Sequence, residues 1–163
     1  MNASAIPGID AEIIVDAKRS EAWRLWTTNV GIRAFFAPDS NVELRIGGPF
    51  EIYFLPDAPE GEKGSEGCRI LSYSPETMLS FSWNAPTHMP TAREHHTWVV
   101  ITFEEIAEQQ TRVRLQHLGF AELAERFPEH AGEFKEAREY FNRAWPYVLG
   151  SMKDYYTGIQ DRE

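Results

Sequence analysis

Three side chains invite a chemical reading before any element is assigned. His117 follows Val113 and Leu115 at alternate places in "TRVRLQHLGF", so on a strand it shares their inward face. An imidazole there can orient a ligand or act as an acid or base near neutral pH, or it can be a core histidine bonded to its neighbours. Arg69 shares alternation with Leu71 and is placed either to meet a ligand carboxylate on that inner face or to pair with Glu66 or Glu51. Cys68, between Gly67 and Arg69, reads as a small buried apolar group rather than a nucleophile. His95 and His96 adjoin each other on an expected strand and point to opposite faces, while His88 and His130 read as solvated loop residues. No metal site is expected from them. There is no G-x-S-x-G elbow and no H-E-x-x-H helix, and Gly47-Gly48 has nothing of a phosphate loop around it. No pair of carboxylates is placed as acid and base. Neither a catalytic residue nor a cofactor is assigned.

The elements that must position these residues follow from periodicity. "AEIIVDA" (11–17) reads as a first strand, and "KRSEAWRLWTT" as a helix with Ala22, Trp23 and Trp26 on one stripe. Ser20 is the expected N-cap and Asn29 with Gly31 the expected helix end. A second short helix, Val30 to Phe36, should stop before Pro38. "VELRI" alternates Val42, Leu44 and Ile46 against Glu43 and Arg45, and Gly47-Gly48 should turn it into "FEIYF", with Phe50, Ile52 and Phe54 on one face. "PDAPEGEKG" (56–64) is a loop. Strands are expected at "GCRILSY", "MLSFSW", "HTWVVITFEEI" and "TRVRLQHLGF". If Val99, Ile101 and Phe103 face in, Trp98 faces out, towards solvent, a loop or a partner subunit. From Phe134 the period changes: Phe134, Ala137, Phe141, Trp145, Val148, Leu149, Met152 and Tyr156 recur at three and four, as one stripe of an amphipathic helix. Pro146 either kinks this helix or begins a new one, and Gly158 is the expected stop. The fold class is therefore α+β, a curved antiparallel sheet against a long C-terminal helix, with two short helices after the first strand.

The chain has 163 residues, the size of one domain, and no repeat or linker divides it (domain 1–163). Its aromatic content of 13% supports a sizeable core. A formal net charge of −9 argues against nucleic acid or an anionic membrane as partner. A single cysteine fits a reducing compartment, "MNASAIPGID" lacks the basic start and apolar run of a signal peptide, and no segment has the apolar length for membrane insertion. A cytoplasmic location is expected. "EAWRLWTTNVGIRAFFAP" (21–38) concentrates large rings, which either fill a close-packed core or line something hollow.

"EIIVDA", "AWRLWTT", "FFAPDS", "VELRIGGPF", "SEGCRIL", "SPETMLSFSW", "TRVRLQHLGF" and "AWPYVLGSMKDYY" occur in one order over nearly the whole chain. In these the chain resembles the SRPBCC (START-like, helix-grip) superfamily, and within it the proteins similar to the C-terminal domain of the activator of the ninety-kilodalton heat-shock-protein ATPase. The resemblance implies a helix-grip fold with a cavity between sheet and C-terminal helix. It implies a small apolar or lipid-like ligand in many relatives and cyclase or related chemistry in some, but not one function. The expected lining is Trp26, Phe35, Phe36, Phe50, Ile52, Phe54, Leu71, Phe81, Trp83, Val99, Ile101, Phe141, Trp145 and Leu149, with Arg69 and His117 fixing orientation. The readings left beside binding are a cyclase- or hydratase-like enzyme with His117 as general base, and a chaperone-associated module of the stress response. A homodimer through Trp98 and a chaperone contact are the further partners considered.

Overall fold

A computed structural model describes residues 6–161, with side chains as far as Gly158; residues 1–5 of the opening stretch lie outside it. Strand β1 (Ile9–Val15) is followed by helices α1 (Arg19–Thr27) and α2 (Asn29–Phe35) and a small ladder, β2 (Asp39–Val42) with β3 (Phe50–Tyr53). Then come β4 (Ile70–Ser74), β5 (Met78–Trp83), helix α3 (Pro90–Glu94), β6 (Thr97–Ala107), β7 (Gln110–Leu118), helix α4 (Phe120–Arg126), a short 3-10 turn (Pro128–His130) and helix α5 (Ala131–Asp161). The main sheet is antiparallel, in the order β1-β7-β6-β5-β4. A bridge between Pro49 and Arg69, with the Phe50 N–H donating to Cys68 O at 2.8 Å, hinges the small ladder onto β4.

Alternation and helical period decide what is buried. On β6, Thr97, Val99, Ile101 and Phe103 are buried, and Trp98 lies on the outer face. Trp98 is half-buried there because it covers Gly119, whose φ of 108° is left-handed and where a Cβ would come within 2.7 Å of the indole. The outer faces of β1, β7 and β6 carry ion pairs, Arg112 with Glu12 and Glu104, and Arg114 with Asp10. The α5 stripe from Phe134 to Tyr156 is buried as its period requires, except Val148, which is half-buried. Pro146 lies on the exposed side of one continuous helix, where water can satisfy the carbonyl that its missing N–H frees.

Several elements differ from expectation, each for a local reason. α1 starts at Arg19 with Lys18 as an N-cap that makes no side-chain bond, so Ser20 does not cap it. Thr28 closes α1 and caps α2, its Oγ1 accepting from the Gly31 N–H at 3.0 Å. Asn29 instead acts as a strand surrogate: it accepts from Val42 N–H at 2.8 Å and donates to Val42 O at 3.2 Å. Strand β2 ends at Val42, and Leu44 (38%) and Ile46 (64%) are exposed. Gly47 and Gly48 pair with Ile70 rather than closing a tight hairpin, so residues 43–49 form a wide loop. Leu71 is the extra residue of a bulge between Ile70 and Ser72; Ile70 takes the buried place and Leu71 is 46% exposed. That shift also turns Arg69 outward, where its Nη1 donates to Gly47 O at 2.9 Å. His95 and His96 precede β6 rather than lying on it. Helix α3, and α4 beyond Phe120, form in stretches where the sequence reading expects no helix, and α5 continues past Gly158 to Asp161.

Candidate functional site

Most of the expected cavity is filled. Phe50 stacks on Phe81 with centroids 3.9 Å apart, and Trp26 packs edge-on against Phe35 and Phe36 at 5.2 and 5.5 Å. Ile52, Val99, Ile101 and Leu149 are buried with them between sheet and α5. Apart from Phe36, these residues form a packed floor rather than an internal hollow. What stays open is a groove of about 430 Å³ at one end, within the usual range for small-molecule sites.

Five elements build it. Phe36 comes from the end of α2, Phe54 and Leu55 from the chain after β3, and Trp83 with Asn84 to Thr87 from the end of β5. Arg93 is supplied by α3, and Tyr140, Phe141, Ala144, Trp145, Tyr147 and Val148 by α5. Phe36, Trp83 and Trp145 form one aromatic wall with centroids 5.3 to 6.0 Å apart. Phe54, Leu55, Tyr140 and Tyr147 are large exposed side chains on its lip.

A polar frame holds the opposite rim. Arg93 donates to Ala85 O (2.6 Å), Gly61 O (2.6 Å) and Gly64 O (2.9 Å), and approaches Glu66 at 3.6 Å. Burial opposes ionisation of Glu66, but the N–H groups of Lys63, Gly64 and Gly61 bonded to its carboxylate hold it below the usual range. Burial, helped by the nearby Arg93, also lowers the pKa of His96. Helix α3 is anchored in turn by the Ala92 N–H, which donates to Glu133 of α5 at 2.5 Å. Beside this rim a polar recess holds Tyr53, whose hydroxyl donates to Glu51 at 2.5 Å; burial and that carboxylate keep the phenol protonated.

His117 lies behind the groove wall and is fully buried. Trp145 Nε1–H donates to its Nδ1 at 2.9 Å, so the ring proton is on Nε2, 2.6 Å from Thr97 Oγ1. Burial lowers its pKa to about 3. With both nitrogens engaged and no face on the groove, it is a positioning group for Trp145 rather than a base at neutral pH. Burial pushes the Cys68 thiol up to about 12, so it is inert as a nucleophile. Among the described residues no three His, Cys, Asp or Glu side chains converge as metal ligands.

Of the residues expected from sequence, Phe36, Phe54, Trp83, Phe141 and Trp145 come together on the groove. Trp26, Phe50, Ile52, Phe81, Val99, Ile101, His117 and Leu149 are core, Phe35 packs against that core, and Arg69 and Leu71 face outward. Arg93, Tyr140, Tyr147 and the Asn84–Thr87 segment were missed. Tyr147 carried a signal, a large ring off the buried stripe directly after Pro146; Arg93 in a loop-like stretch carried none.

The model of the family described as "Activator of Hsp90 ATPase homolog 1-like protein" matches residues 16–157. No curated protein matches the sequence. Among solved structures, the Mesorhizobium loti protein MLL2253 superposes with a TM-score of 0.69 at 17% identity, covering 91% of this chain and 96% of that one. The Aha1 dimer from Colwellia psychrerythraea gives 0.62 at 19% identity, covering 92% and 96%. CalU16 from Micromonospora echinospora gives 0.60 at 20% identity, covering 95% and 79%. At these identities the likeness is one of fold: an antiparallel sheet closed by a long C-terminal helix, as found here. The family match extends from the end of β1 almost to the end of α5, and on it this chain belongs to the family of Activator of Hsp90 ATPase homolog 1-like proteins.

Proposed function

We propose that the protein binds a small, largely apolar or amphipathic ligand in the end groove. The observation that carries this reading is the groove itself, where Phe36, Phe54, Trp83, Phe141, Trp145 and Val148 surround open space while the rest of the interior is packed. Burial of apolar ligand surface drives binding at about 25 cal/mol per Å² before the costs of association. The sealed, neutral His117 favours binding over cyclase- or hydratase-type turnover.

The second reading is contact with a heat-shock chaperone, which the printed family description supports. A homodimer has its precedent in the Colwellia relative, described as a dimer. A cytoplasmic location fits the free, buried Cys68 thiol, and no helix among the described residues is long and apolar enough to cross a membrane.

The test is native mass spectrometry of fresh protein with extraction of any passenger, repeated on Val148→Trp, which places a large ring in the groove. Loss of the passenger, or of an added anilinonaphthalene probe, from a folded Val148→Trp variant supports the reading. Undiminished binding by that variant refutes it. Stimulation of a chaperone ATPase that Val148→Trp leaves unchanged would favour the interaction module instead.

A further inference from the structure

Among the described residues ten large apolar side chains are exposed, and they fall into groups. Phe54, Leu55, Tyr140 and Tyr147 are the lip of the groove, and Ile14 and Ile106 lie on β1 and β6. The other four, Val30, Leu44, Ile46 and Leu71, gather at the end of the β2–β3 ladder away from Phe54. Hydrogen bonds hold them there. The Asn29 side chain bonds both main-chain groups of Val42, which brings Val30 beside the base of the 43–49 loop. The Gly47 N–H donates to Ile70 O at 2.8 Å, which sets Ile46 beside Leu71.

This corner also holds a stretch of open sheet edge. At the far side of the main sheet, α5 packs against β1. Asn29 seals the outer side of β2 at Val42, and Ser65 and Cys68 bond β3 through Ile52 and Phe50. Strand β4 is sealed at Ile70 by Gly47 and Gly48. Beyond it, Leu71, Ser72 and Tyr73 have no main-chain partner on their outer side among the described residues. An open edge invites another strand unless charge or proline blunts it, and residues 71–74 carry neither. The Trp23 ring, 6.4 Å from that of Tyr73, backs the strand. The bulge at Leu71 shortens the open edge and turns an apolar side chain out beside Ile46.

A second copy of this chain fits what the corner presents. It brings an equally short strand with an open side and the same apolar set, so one two-fold contact covers both. The charges agree with that symmetry. Glu43 and Arg45 flank Leu44, more than half exposed and 2.9 Å apart, so a two-fold lets Glu43 meet the partner's Arg45. The chain's net charge of −9 opposes self-association in general, and a balanced pair of this kind is where two copies can approach. Resting on the homodimer reading above, we propose that two copies associate about a two-fold axis at this corner. Ile46 and Leu71 pack against their counterparts, the open edges of β4 run alongside, and Glu43 pairs across the seam with the partner's Arg45.

Sedimentation velocity between about 1 and 300 μM tests this, and wild type should pass from monomer to dimer within that range. Ile46→Glu, at an exposed position, should raise the dimer Kd at least about tenfold, while Ile14→Glu, on the outer face of β1, should leave it unchanged. Glu43→Arg and Arg45→Glu put like charges across the seam, and each alone should weaken the dimer about three- to tenfold. Mixed in equal amounts, these two variants carry opposite charges and should form a heterodimer as tight as the wild-type dimer. No effect within one chain gives that recovery. A mixture no tighter than either variant alone overturns the two-fold pairing. A dimer that survives Ile46→Glu leaves the homodimer reading standing and overturns this seam, and its loss in Ile14→Glu instead moves the contact to the outer face of the sheet. A monomer at every concentration overturns both.

Discussion

Acid should destabilise this protein through His117 before its carboxylates titrate, and the size of the effect follows from the structure. The imidazole is completely buried among Thr97, Phe120, Phe141 and Trp145, and burial takes its pKa from an ordinary 6.5 to about 3. The folded value is depressed, so between these limits the unfolded chain binds a proton that the folded chain refuses. Stability is therefore full above pH 6.5 and falls as the pH drops. The slope is about 1.36 kcal/mol per pH unit, which amounts to about 2 kcal/mol lost by pH 5 and about 4 kcal/mol by pH 3. That is a large share of a typical domain's 5–15 kcal/mol, by the usual order-of-magnitude range. The assay is urea denaturation at pH 7, 6 and 5 of wild type and His117→Gln, whose amide keeps a donor and an acceptor but cannot titrate. The variant is expected to start less stable, by about 1–3 kcal/mol for imperfectly remade bonds. Its stability should nevertheless decline less between pH 7 and 5, by about 2 kcal/mol. His96 shifts in the same direction but is common to both proteins, so the difference in slope reports His117 alone. Parallel pH profiles would refute the argument, and would return His117 to the set of groups able to take a proton near neutrality.

Arg93→Met keeps a long stem but removes the donors to Ala85, Gly61 and Gly64; hydrogen exchange across residues 55–66 should quicken while that of the main sheet is unchanged. Gly119→Ala meets both a left-handed φ of 108° and the Trp98 ring, and should lower stability by about 1–3 kcal/mol in a urea titration. Equal stability of that variant would show that the turn between β7 and α4 relaxes freely.

Much of the architecture was legible because some elements carry their own period. The α5 stripe needed no knowledge of its partner, since residues three and four apart share a face wherever the helix packs. The same held for the inward set Val99, Ile101 and Phe103. "VELRI" shows the limit: alternation is necessary for a half-buried strand but not sufficient, and pairing with Ile70, whose O accepts from the Gly47 N–H and whose N–H donates to Gly48 O, made part of it a loop. One inserted residue at Leu71 reversed the phase of β4 there and carried Arg69 to the outside. A bulge of this kind leaves no mark in composition.

The candidate site was legible only in part. Alternation placed His117 inside, but a buried position and a pocket position have the same sequence signature. Its partners Trp145 and Thr97, 28 and 20 residues away, settled the matter by occupying both ring nitrogens. Likewise the aromatic excess could be counted, yet whether a given ring filled space or bounded it depended on neighbours brought from other elements.

The amino-acid sequence by itself determined the order of most strands and of α1, α2 and α5, which face of most of them is apolar, and the family, because these rest on local period and on residue order. Only the tertiary structure decided that Trp26 and Phe81 are floor while Phe36 and Trp83 are wall, and that Arg93 frames the opening. Close packing is a property of many side chains at once: a groove is the space they jointly fail to fill, and no single segment specifies it.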